Sequence, residues 1–335
     1  MYEAYYGLKE RPFDLSPNAR FLFLSRKHLE ALTHLEYALG GRPGLTVLIG
    51  EAGTGKTTLV RAALQPHVAA ASSGIVHLAN PTLTRAEFFE YLAEGFGFSP
   101  EAARSKTRFI RELEQAVASR SSSGAGLALV VDEAQAVPHE LLEEIRLLSN
   151  IDSPSGRALG VVLVGQPELA ARLNEPSLRQ LKQRVALRCE LGVLDLPETA
   201  SYIAARVKVA GGRGDQLFSR EAVIAIYQYS GGIPRTISVI CDNALVSGFA
   251  ADTRPVGPGL VIEVCRDFQI EPPPGVMVPP APPVPTTLPK ASAAPISEAA
   301  PVQASVSVQS DTNAPEAAPL FSGFGRPRRF FQFSR

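Results

Sequence analysis

A glycine-rich stretch constrains this 335-residue chain more than any other feature of its sequence. The stretch reads Gly50, Glu51, Ala52, Gly53, Thr54, Gly55, Lys56, Thr57 and Thr58. From Gly50 to Thr57 it fits the pattern G-x-x-x-x-G-K-[ST], in which backbone N–H groups curl around phosphate oxygens. The stretch therefore predicts a binding site for a nucleoside triphosphate.

The flanking sequence supplies the strand and the helix that a phosphate-binding loop requires. Leu45–Ile49 is apolar except for Thr46, which predicts a short buried strand, and we expect a helix over Thr57–Gln65 that Pro66 ends. In this setting Lys56 is expected to contact the β- and γ-phosphates, and Thr57 to offer Mg²⁺ a hydroxyl ligand. A plain glycine-rich turn between core elements is the alternative, and the strand and helix around the loop argue against it.

Composition and charge narrow the class of protein. The formal net charge is zero, so no global basic field points to nucleic acid. Three widely spaced cysteines form no C-x-x-C pair, which suggests neither a disulfide framework nor a zinc site and fits a reducing compartment. The N-terminus lacks a signal-peptide pattern, and no apolar run approaches the roughly 20 residues that span a bilayer. We expect a soluble, cytoplasmic protein that can lie peripherally at the inner membrane.

Apolar runs alternate with helical patterns through the first half of the chain. Beyond Leu45–Ile49, further strands are predicted at Gly74–Leu78, Leu127–Val131 and Gly160–Gly165. Helices are predicted at Ser25–Leu39, Arg85–Phe96, Lys106–Ser119 and Pro138–Asn150. In the first of these, Ser25 is the expected cap, and the expected apolar stripe is Leu29, Leu32, Leu35, Ala38 and Leu39. Apolar strands that alternate with helices predict a parallel sheet covered on both faces.

The chain divides into four predicted segments. Residues 1–40 form a lead-in, and residues 41–192 form the nucleotide-binding domain. From about Asp195 the pattern changes to helices alone, which predicts a small helical lid over residues 193–270. Residues 271–335 hold half of the chain's 28 prolines, cannot bury a core, and are predicted to form a disordered tail.

An acidic pair follows the third apolar run. Asp132 at the end of a strand beside the phosphate loop is expected to hold Mg²⁺, and Glu133 to orient and deprotonate the attacking water. An acidic pair that merely caps the next helix is the alternative. The pair lies 76 residues after Lys56, a separation that suits an intervening strand. This arrangement resembles ATPases that carry their own catalytic glutamate, so the predicted fold class is an α/β P-loop NTPase of the additional-strand type.

Two further polar residues are expected at the site. Gln166 follows the fourth strand, where its amide can position water near the γ-phosphate; a turn residue before Pro167 is the alternative. Arg235 lies in Gly232–Arg235 at the start of a lid helix, where Pro234 suits the first turn. We expect Arg235 to sense the γ-phosphate, against the alternative of an ordinary exposed arginine.

Arg184 is a candidate arginine finger. Its guanidinium is expected to reach the γ-phosphate of a neighbouring subunit. Because Arg179, Lys182 and Arg188 lie close to it in the sequence, a solvated basic face is the alternative, and Arg179 or Arg188 could serve as the finger instead.

Together these elements resemble the AAA+ superfamily and, more narrowly, the ExeA-like ATPases of the general secretion pathway A family, with a core related to that of origin-binding ATPases. The stretches that carry the narrower resemblance are Tyr2–Leu8, Arg20–Leu24 with Ser25 and His28, Gly50–Thr58, Val131–Gln135, Leu142–Asn150, Val164–Leu169 and Ser230–Arg235. They cover about residues 1–250.

The resemblance implies ATP, Mg²⁺, nucleotide-driven homo-oligomers and a membrane-associated partner in secretin or exopolysaccharide export. It also implies that the lead-in around Phe21–His28 covers the adenine. Proteins of this family typically continue into a transmembrane helix and a peptidoglycan-binding module. Here a proline-rich segment follows instead, so we do not expect direct action on peptidoglycan. Its end, Phe321–Arg335, interleaves aromatic residues with arginines and suits either a docking segment or a simple disordered terminus.

Two other functions remain open at the level of sequence. Transposition-helper and origin-binding ATPases share the nucleotide core, but they usually need a winged helix or a basic stripe, for which residues 250–335 offer no room. A nucleotide-gated scaffold with negligible turnover is the other, and the presence of Lys56, Asp132 and Glu133 argues against it.

Overall fold

The computed structural model describes residues 1–16, 18–41, 44–68, 74–120, 126–151 and 158–273. The predicted proline-rich tail lies outside the described residues from position 274 onward. Among the residues placed by the structure, no helix combines the length and the apolarity needed to cross a bilayer.

Five parallel strands form one sheet in the order β2-β3-β4-β1-β5. They are β1 (Leu45–Gly50), β2 (Ile75–Leu78), β3 (Leu127–Val131), β4 (Leu159–Gly165) and β5 (Val185–Leu191). The three inner strands are buried along their whole length, because helices cover both faces of the sheet. The predicted α/β fold with a parallel sheet is confirmed.

The edge strand β5 is an element that the sequence pattern does not predict. Cys189 and Leu191 are buried, whereas Arg188 before them and Glu190 between them are exposed. Successive side chains of a strand point to opposite faces, so this alternation shows that one face of β5 is buried and the other is in contact with solvent. A search for continuous apolar runs therefore overlooks it.

Helices before residue 192 pack on the two faces of the sheet or precede it. They are α1 (Tyr2–Tyr6), α2 (Arg26–Leu39), α3 (Lys56–Val68), α4 (Arg85–Phe96), α5 (Pro100–Arg104), α6 (Lys106–Arg120), α7 (His139–Leu148), α8 (Pro167–Leu173) and α9 (Arg179–Lys182). One apolar core joins the sheet to α4, α6, α7 and α8, and a second joins its other face to α2 and α3.

Two details of these helices differ from the sequence-based expectation. Pro66 does not end α3 but lies within its last turn, with two helical residues after it. The proline is tolerated there because it removes only one hydrogen bond, the one to the Ala62 carbonyl oxygen. In α2, Ser25 caps the helix as expected, but Leu29 is 55% exposed and His28 is buried. The buried face is rotated toward His28, which reaches the phosphate loop.

The C-terminal helices form a separate bundle with its own core. They are α10 (Leu196–Val209), α11 (Gly214–Leu217), α12 (Arg220–Ser230), α13 (Pro234–Ala250) and α14 (Pro258–Asp267). The N-terminal residues Tyr2, Tyr6 and Phe13 are buried in this same core. The lead-in therefore packs on the helical bundle with its first residues and on the sheet with α2.

The sheet brings the ends of three strands to one place. β4 lies between β1 and β3, with Ile49 opposite Gly165 and Val131 opposite Leu163. Since all strands are parallel, the residues that follow β1, β3 and β4 meet at the same edge of the sheet. The strand that separates β1 from β3 in space is β4, whereas β2, which intervenes in the sequence, lies at the outer edge.

Candidate functional site

The loop after β1 is shaped by glycines with left-handed backbone conformations. Gly53 and Gly55 have φ angles of 83° and 98°, which glycine adopts at little cost. The Thr54 hydroxyl donates to the Glu51 carbonyl oxygen at 2.8 Å and ties the loop together. Helix α3 begins at Lys56, so its first turn of N–H groups without intrahelical partners closes the loop. Such a loop can bind an anion.

Lys56 lies beneath the loop, with 5% of its surface exposed. Its Nζ atom donates to the carbonyl oxygens of Gly50, at 2.7 Å, and Glu51, at 3.0 Å. Burial lowers the pKa of Lys56, and the nearby carboxylates of Glu133 and Asp132 oppose that effect. An ammonium group has three N–H donors, so one remains for a phosphate oxygen.

Thr57 and Asp132 are in direct contact. The Thr57 hydroxyl donates to Oδ2 of Asp132 at 2.9 Å. Asp132 is buried and fixed, since its backbone N–H donates to the Leu78 carbonyl oxygen and its Oδ1 accepts the Glu133 N–H at 3.0 Å. A hydroxyl and a carboxylate are the hard oxygen donors that Mg²⁺ prefers, so this pair fits a magnesium site.

Glu133 has a backbone conformation that is uncommon for a residue with a side chain. Its φ and ψ angles are 51° and 38°. Its carboxylate oxygen Oε2 accepts hydrogen bonds from the side-chain amides of Gln135, at 2.6 Å, and Gln166, at 3.3 Å. Gln135 also accepts the Gln166 backbone N–H at 3.0 Å. Glu133 is therefore held beside the loop by residues from two strand ends.

Gly165 allows this close approach. A Cβ atom at position 165 would lie 2.8 Å from Oε1 of Gln135, so a larger residue would push Gln135 away from Gln166. Arg172 adds support by donating from one guanidinium nitrogen to the backbone carbonyls of Gln135 and Val137.

Arg235 lies at the junction of the helical bundle and the loop. Its backbone N–H donates to the Gly53 carbonyl oxygen at 3.2 Å, and its side chain is exposed and lines the cavity above the loop. A Cβ atom at position 53 would lie 2.9 Å from the Arg235 Cβ, so glycine at 53 is also needed for this contact.

Arg184 is the one proposed catalytic residue that lies away from the other site residues. It is exposed and directly precedes β5, whose first residue, Val185, pairs with Leu45. The loop follows the other end of the sheet, where Leu191 pairs with Gly50. Arg184 is thus separated from its own loop by the length of a strand, about 20 Å. Arg184 therefore does not belong to the group of side chains around its own loop.

The cavity above the loop has a volume of about 420 Å³, within the range of small-molecule sites. Its floor includes Lys56, Thr57, Thr58 and Ala52, and its rim includes Glu133, Gln166 and Arg235. Much of the remaining wall comes from the lead-in and α10: Asp14, Leu15, Ser16, Asn18, Phe21, Leu22, Phe23, His28, Tyr202 and Arg206. Leu194 and the α13 residues Pro234 and Ser238 also line the cavity. One end of the cavity is polar and faces the loop, and the other combines aromatic and apolar groups with polar ones.

Arg206 of α10 holds the lead-in in place. Its Nε donates to the Pro12 carbonyl oxygen at 2.6 Å and its Nη2 to that of Asp14 at 2.9 Å. Its Nη1 donates to the Tyr202 hydroxyl at 3.0 Å, and its guanidinium carbon lies 5.1 Å from the centre of the Phe21 ring. Arg206 therefore ties the lead-in part of the cavity wall to the bundle.

His28 links α2 to the loop. Its Nδ1 lies 2.8 Å from the Ser25 hydroxyl and its Nε2 lies 3.1 Å from the Thr54 carbonyl oxygen. A carbonyl only accepts, so Nε2 carries the hydrogen, and Nδ1 of the neutral ring accepts from Ser25. Burial lowers the pKa of His28, while the Thr54 carbonyl and Glu198 raise it.

Neither Gln135 nor Arg206 is among the site residues that the sequence predicts. Gln135 lies two residues after Glu133 and ends one of the stretches that carry the family resemblance. Arg206 follows Tyr202 by one helical turn, a common aromatic–arginine spacing, but its contacts with Pro12 and Asp14 join positions more than 190 residues apart.

Known proteins include several that are similar to this chain in sequence or fold. A family described as "AAA domain" matches residues 40–173. The chain is 36% identical over 256 residues to the Aeromonas hydrophila protein named general secretion pathway protein A; the match covers 76% of this chain and 46% of that protein. The predicted resemblance is confirmed. The chain spans about half the length of this curated relative.

Solved structures with a similar fold include two from archaea. The Aeropyrum pernix ORC2 protein, in ADPNP–ADP complexes, is similar with a TM-score of 0.56 and 19% identity, over 77% of this chain and 72% of that one. The Pyrobaculum aerophilum CDC6P protein is similar with a TM-score of 0.58 and 16% identity, over 76% and 70%. At these identities the likeness supports the fold alone.

Proposed function

We propose that this chain, which has an AAA+ P-loop fold and is similar to general secretion pathway protein A, binds ATP with Mg²⁺ and hydrolyses it. The observation that carries the proposal is the 2.9 Å contact between Thr57 and Asp132. It unites the phosphate loop with the acidic residue at the end of β3, two parts that recur in P-loop ATPases. Glu133, directly after Asp132, supplies the general base that ATP hydrolysis needs.

Each residue has a task in the proposed reaction. Lys56 binds phosphate oxygens with its remaining N–H donor, and the loop's backbone N–H groups bind others. Thr57 and Asp132 hold Mg²⁺, which when bound screens the phosphate charge. Glu133 takes a proton from a water molecule, and Gln166 orients that water beside it. Arg235 contacts the γ-phosphate from the bundle and couples nucleotide state to the position of α13.

The aromatic end of the cavity is the proposed place for the adenine. Phe21, Phe23 and Tyr202 offer ring faces and edges there, and Arg206 keeps the lead-in closed over them. Planar bases stack well on aromatic side chains. The nucleotide would therefore contact the sheet, the lead-in and the bundle together.

Turnover is proposed to require a homo-oligomer. The exposed Arg184 lies about a strand's length from its own loop, and an arginine supplied by a neighbour can stabilise charge on the transferring phosphate. The alternative fingers are Arg179 in α9 and Arg188 in β5, and both are exposed.

The kinship with general secretion pathway protein A supports a role in the cell envelope. We infer that ATP turnover drives the assembly or regulation of an export system, of the type II secretion or exopolysaccharide kind. The working place would be the cytoplasmic side of the inner membrane, beside a membrane-bound partner. A DNA-linked ATPase of the transposition-helper or origin-binding type is the competing function that the same experiment tests.

The experiment is steady-state ATP hydrolysis with size measured by light scattering, for wild type and Glu133→Gln, with and without duplex DNA. We expect ATP-dependent oligomers in both proteins, and hydrolysis that falls by roughly a hundredfold or more in the variant, the effect of losing a general base. Glu140→Gln on the exposed start of α7 is the matched control.

The outcome separates the two functions. Turnover raised by membranes of the native host and indifferent to DNA would support the envelope role. Strong stimulation by duplex DNA would replace that role with the DNA-linked one. Normal hydrolysis by Glu133→Gln would remove Glu133 from the mechanism.

A further inference from the structure

A second group of chemically reactive side chains lies where α2 packs against β5. It consists of Glu30 and His34, four residues apart on one face of α2, and Cys189 of the edge strand. Their carboxylate, imidazole and thiol ligand atoms all lie within 4.8 Å of one another. The cysteines in the sequence gave no sign of such a group, because Cys189 and His34 are 155 positions apart.

Two of the three ligand atoms already point at each other. The Sγ atom of Cys189 lies 3.0 Å from Nδ1 of His34, which is a hydrogen-bond distance for sulfur. Whether Sγ or Nδ1 carries the hydrogen, its removal leaves a lone pair on each of the two atoms, and both lone pairs are directed at the space between them. In a tetrahedral zinc site the sulfur and the nitrogen would lie about 3.5 Å apart, so metal binding needs a shift of only about half an ångström.

The burial of the three residues suits a metal site at the edge of a core. Cys189 is buried beside Leu48 and Leu191, His34 is half-buried and Glu30 is exposed. A cation bound here would replace the thiol proton and offset the repulsion between the thiolate and the Glu30 carboxylate.

We propose that Glu30, His34 and Cys189 form a Zn²⁺ site whose fourth ligand is water. Thiolate and imidazole together select zinc over magnesium, which prefers oxygen donors, so the site differs in chemistry from the Thr57–Asp132 pair. The proposal does not depend on ATP hydrolysis.

A zinc ion at this place would join two elements that border the nucleotide site. α2 carries His28, which contacts the Thr54 carbonyl oxygen, and β5 pairs with β1 up to Gly50. The ion would fix the lead-in helix to the edge of the sheet. We therefore expect zinc to slow hydrogen exchange of the α2 backbone.

The test uses the full chain, made without a polyhistidine tag and free of nucleotide, titrated with Co²⁺ as a spectroscopic substitute for Zn²⁺. A site with one thiolate gives a sulfur-to-cobalt charge-transfer band in the near ultraviolet and the visible bands of tetrahedral cobalt. The Mg²⁺ ligands include no sulfur, so cobalt there cannot produce the charge-transfer band. We expect one equivalent to bind, Zn²⁺ to displace it and Mg²⁺ to leave it in place.

Variants assign the signal. Cys189→Ser should abolish the charge-transfer band, and His34→Gln should weaken zinc binding by at least about tenfold. Glu30→Gln should weaken it less, because an exposed carboxylate is the easiest ligand for water to replace. Glu36→Gln, also exposed on α2, is the control and should bind as wild type does.

The proposal fails if wild type shows no thiolate–cobalt band, or if the band survives in Cys189→Ser, which would place it on Cys241 or Cys265. It also fails if His34→Gln binds zinc as wild type does. That variant decides the matter even if Cys189→Ser does not fold, since His34 is only half-buried.

Discussion

The side-chain amide of Gln166 lies 3.3 Å from the carboxylate oxygen Oε2 of Glu133, although the two residues follow different strands. The same oxygen accepts a 2.6 Å hydrogen bond from Gln135. In this state Glu133 is therefore occupied by two amides. To serve as a base, Glu133 has to exchange at least one of these hydrogen bonds for one to a water molecule. The two amides therefore control both where the carboxylate lies and whether it is free to accept a proton.

Gln135→Leu should lower turnover without weakening ATP binding. The change removes the donor to Glu133 and the acceptor for the Gln166 backbone N–H, so both proposed water-positioning groups lose a support. We expect kcat to fall roughly tenfold, a fraction of the hundredfold or more that a general base contributes, with KM unchanged. Combined with Glu133→Gln, the same change should add little, because the two residues act as one unit. Additive losses would show that Gln135 acts elsewhere.

Lys56→Met should abolish detectable nucleotide binding while leaving the protein folded. Its Nζ donates to the Gly50 and Glu51 carbonyl oxygens within the loop, and methionine matches the length of the apolar stem. Loss of a charge-assisted contact to phosphate should weaken ATP binding by at least about thirtyfold. Titration calorimetry measures this, with Lys208→Met on the exposed face of α10 as control. Unchanged affinity would remove the loop from the proposed site.

Much of the site could be predicted because each polar residue follows a strand that is almost entirely apolar. Lys56, Asp132 and Gln166 come after β1, β3 and β4, and parallel strands carry such residues to the same edge of the sheet. The sequence therefore predicts that these residues lie close together, provided that the runs are recognised as strands. The strand order, which inserts β4 between β1 and β3, is not contained in any single run.

What escaped prediction depends on contacts between distant parts of the chain. β5 alternates polar and apolar residues, a pattern that makes sense only once it is known to lie at an edge. His28 is buried in place of Leu29 because its ring bonds the Thr54 carbonyl, which a count of apolar residues cannot reveal. Arg206 looks like any arginine on an amphipathic helix until Pro12 is placed beside it.

Arg206→Lys should loosen the lead-in. Lysine keeps the charge but loses the planar fork that serves Pro12, Asp14 and Tyr202 at once. We expect a loss of about 2 kcal/mol in the free energy of unfolding, measured by urea denaturation, and faster hydrogen exchange over residues 2–14. ATP affinity should fall as well if the aromatic wall contacts the base.

Arg213→Lys provides the control for that change. Arg213 is exposed and pairs with Asp215 on the surface, where an ion pair contributes little, so its replacement should alter neither stability nor exchange. If Arg206→Lys behaved like Arg213→Lys, the lead-in would be held by its apolar contacts alone.

Arg184→Ala should lose turnover while keeping ATP affinity, because we propose that the residue acts on a neighbour's site and not on its own. Mixed with Lys56→Ala subunits, which bind no nucleotide but still carry Arg184, it should regain part of its activity. Arg179→Ala and Arg188→Ala, tested in the same mixtures, identify the finger among the three. An absence of rescue in every mixture would contradict a finger supplied in trans.

The stability of the protein should rise with pH between the lowered pKa of His28 and its ordinary value of 6.5. Below 6.5 the unfolded chain binds a proton at this position more readily than the folded chain, since burial disfavours the charged ring. The neutral ring forms hydrogen bonds with both Ser25 and Thr54, so its contribution to stability is complete above pH 6.5 and is lost as the pH falls through the folded-state pKa.

Urea unfolding of wild type and His28→Gln from about pH 5 to about pH 8 measures the difference, with Leu29→Gln as a substitution at an exposed neighbour. We expect the variant to be less stable at pH 8 and to lose less stability on acidification than wild type. Parallel curves for the two proteins would mean that burial of His28 does not control this dependence.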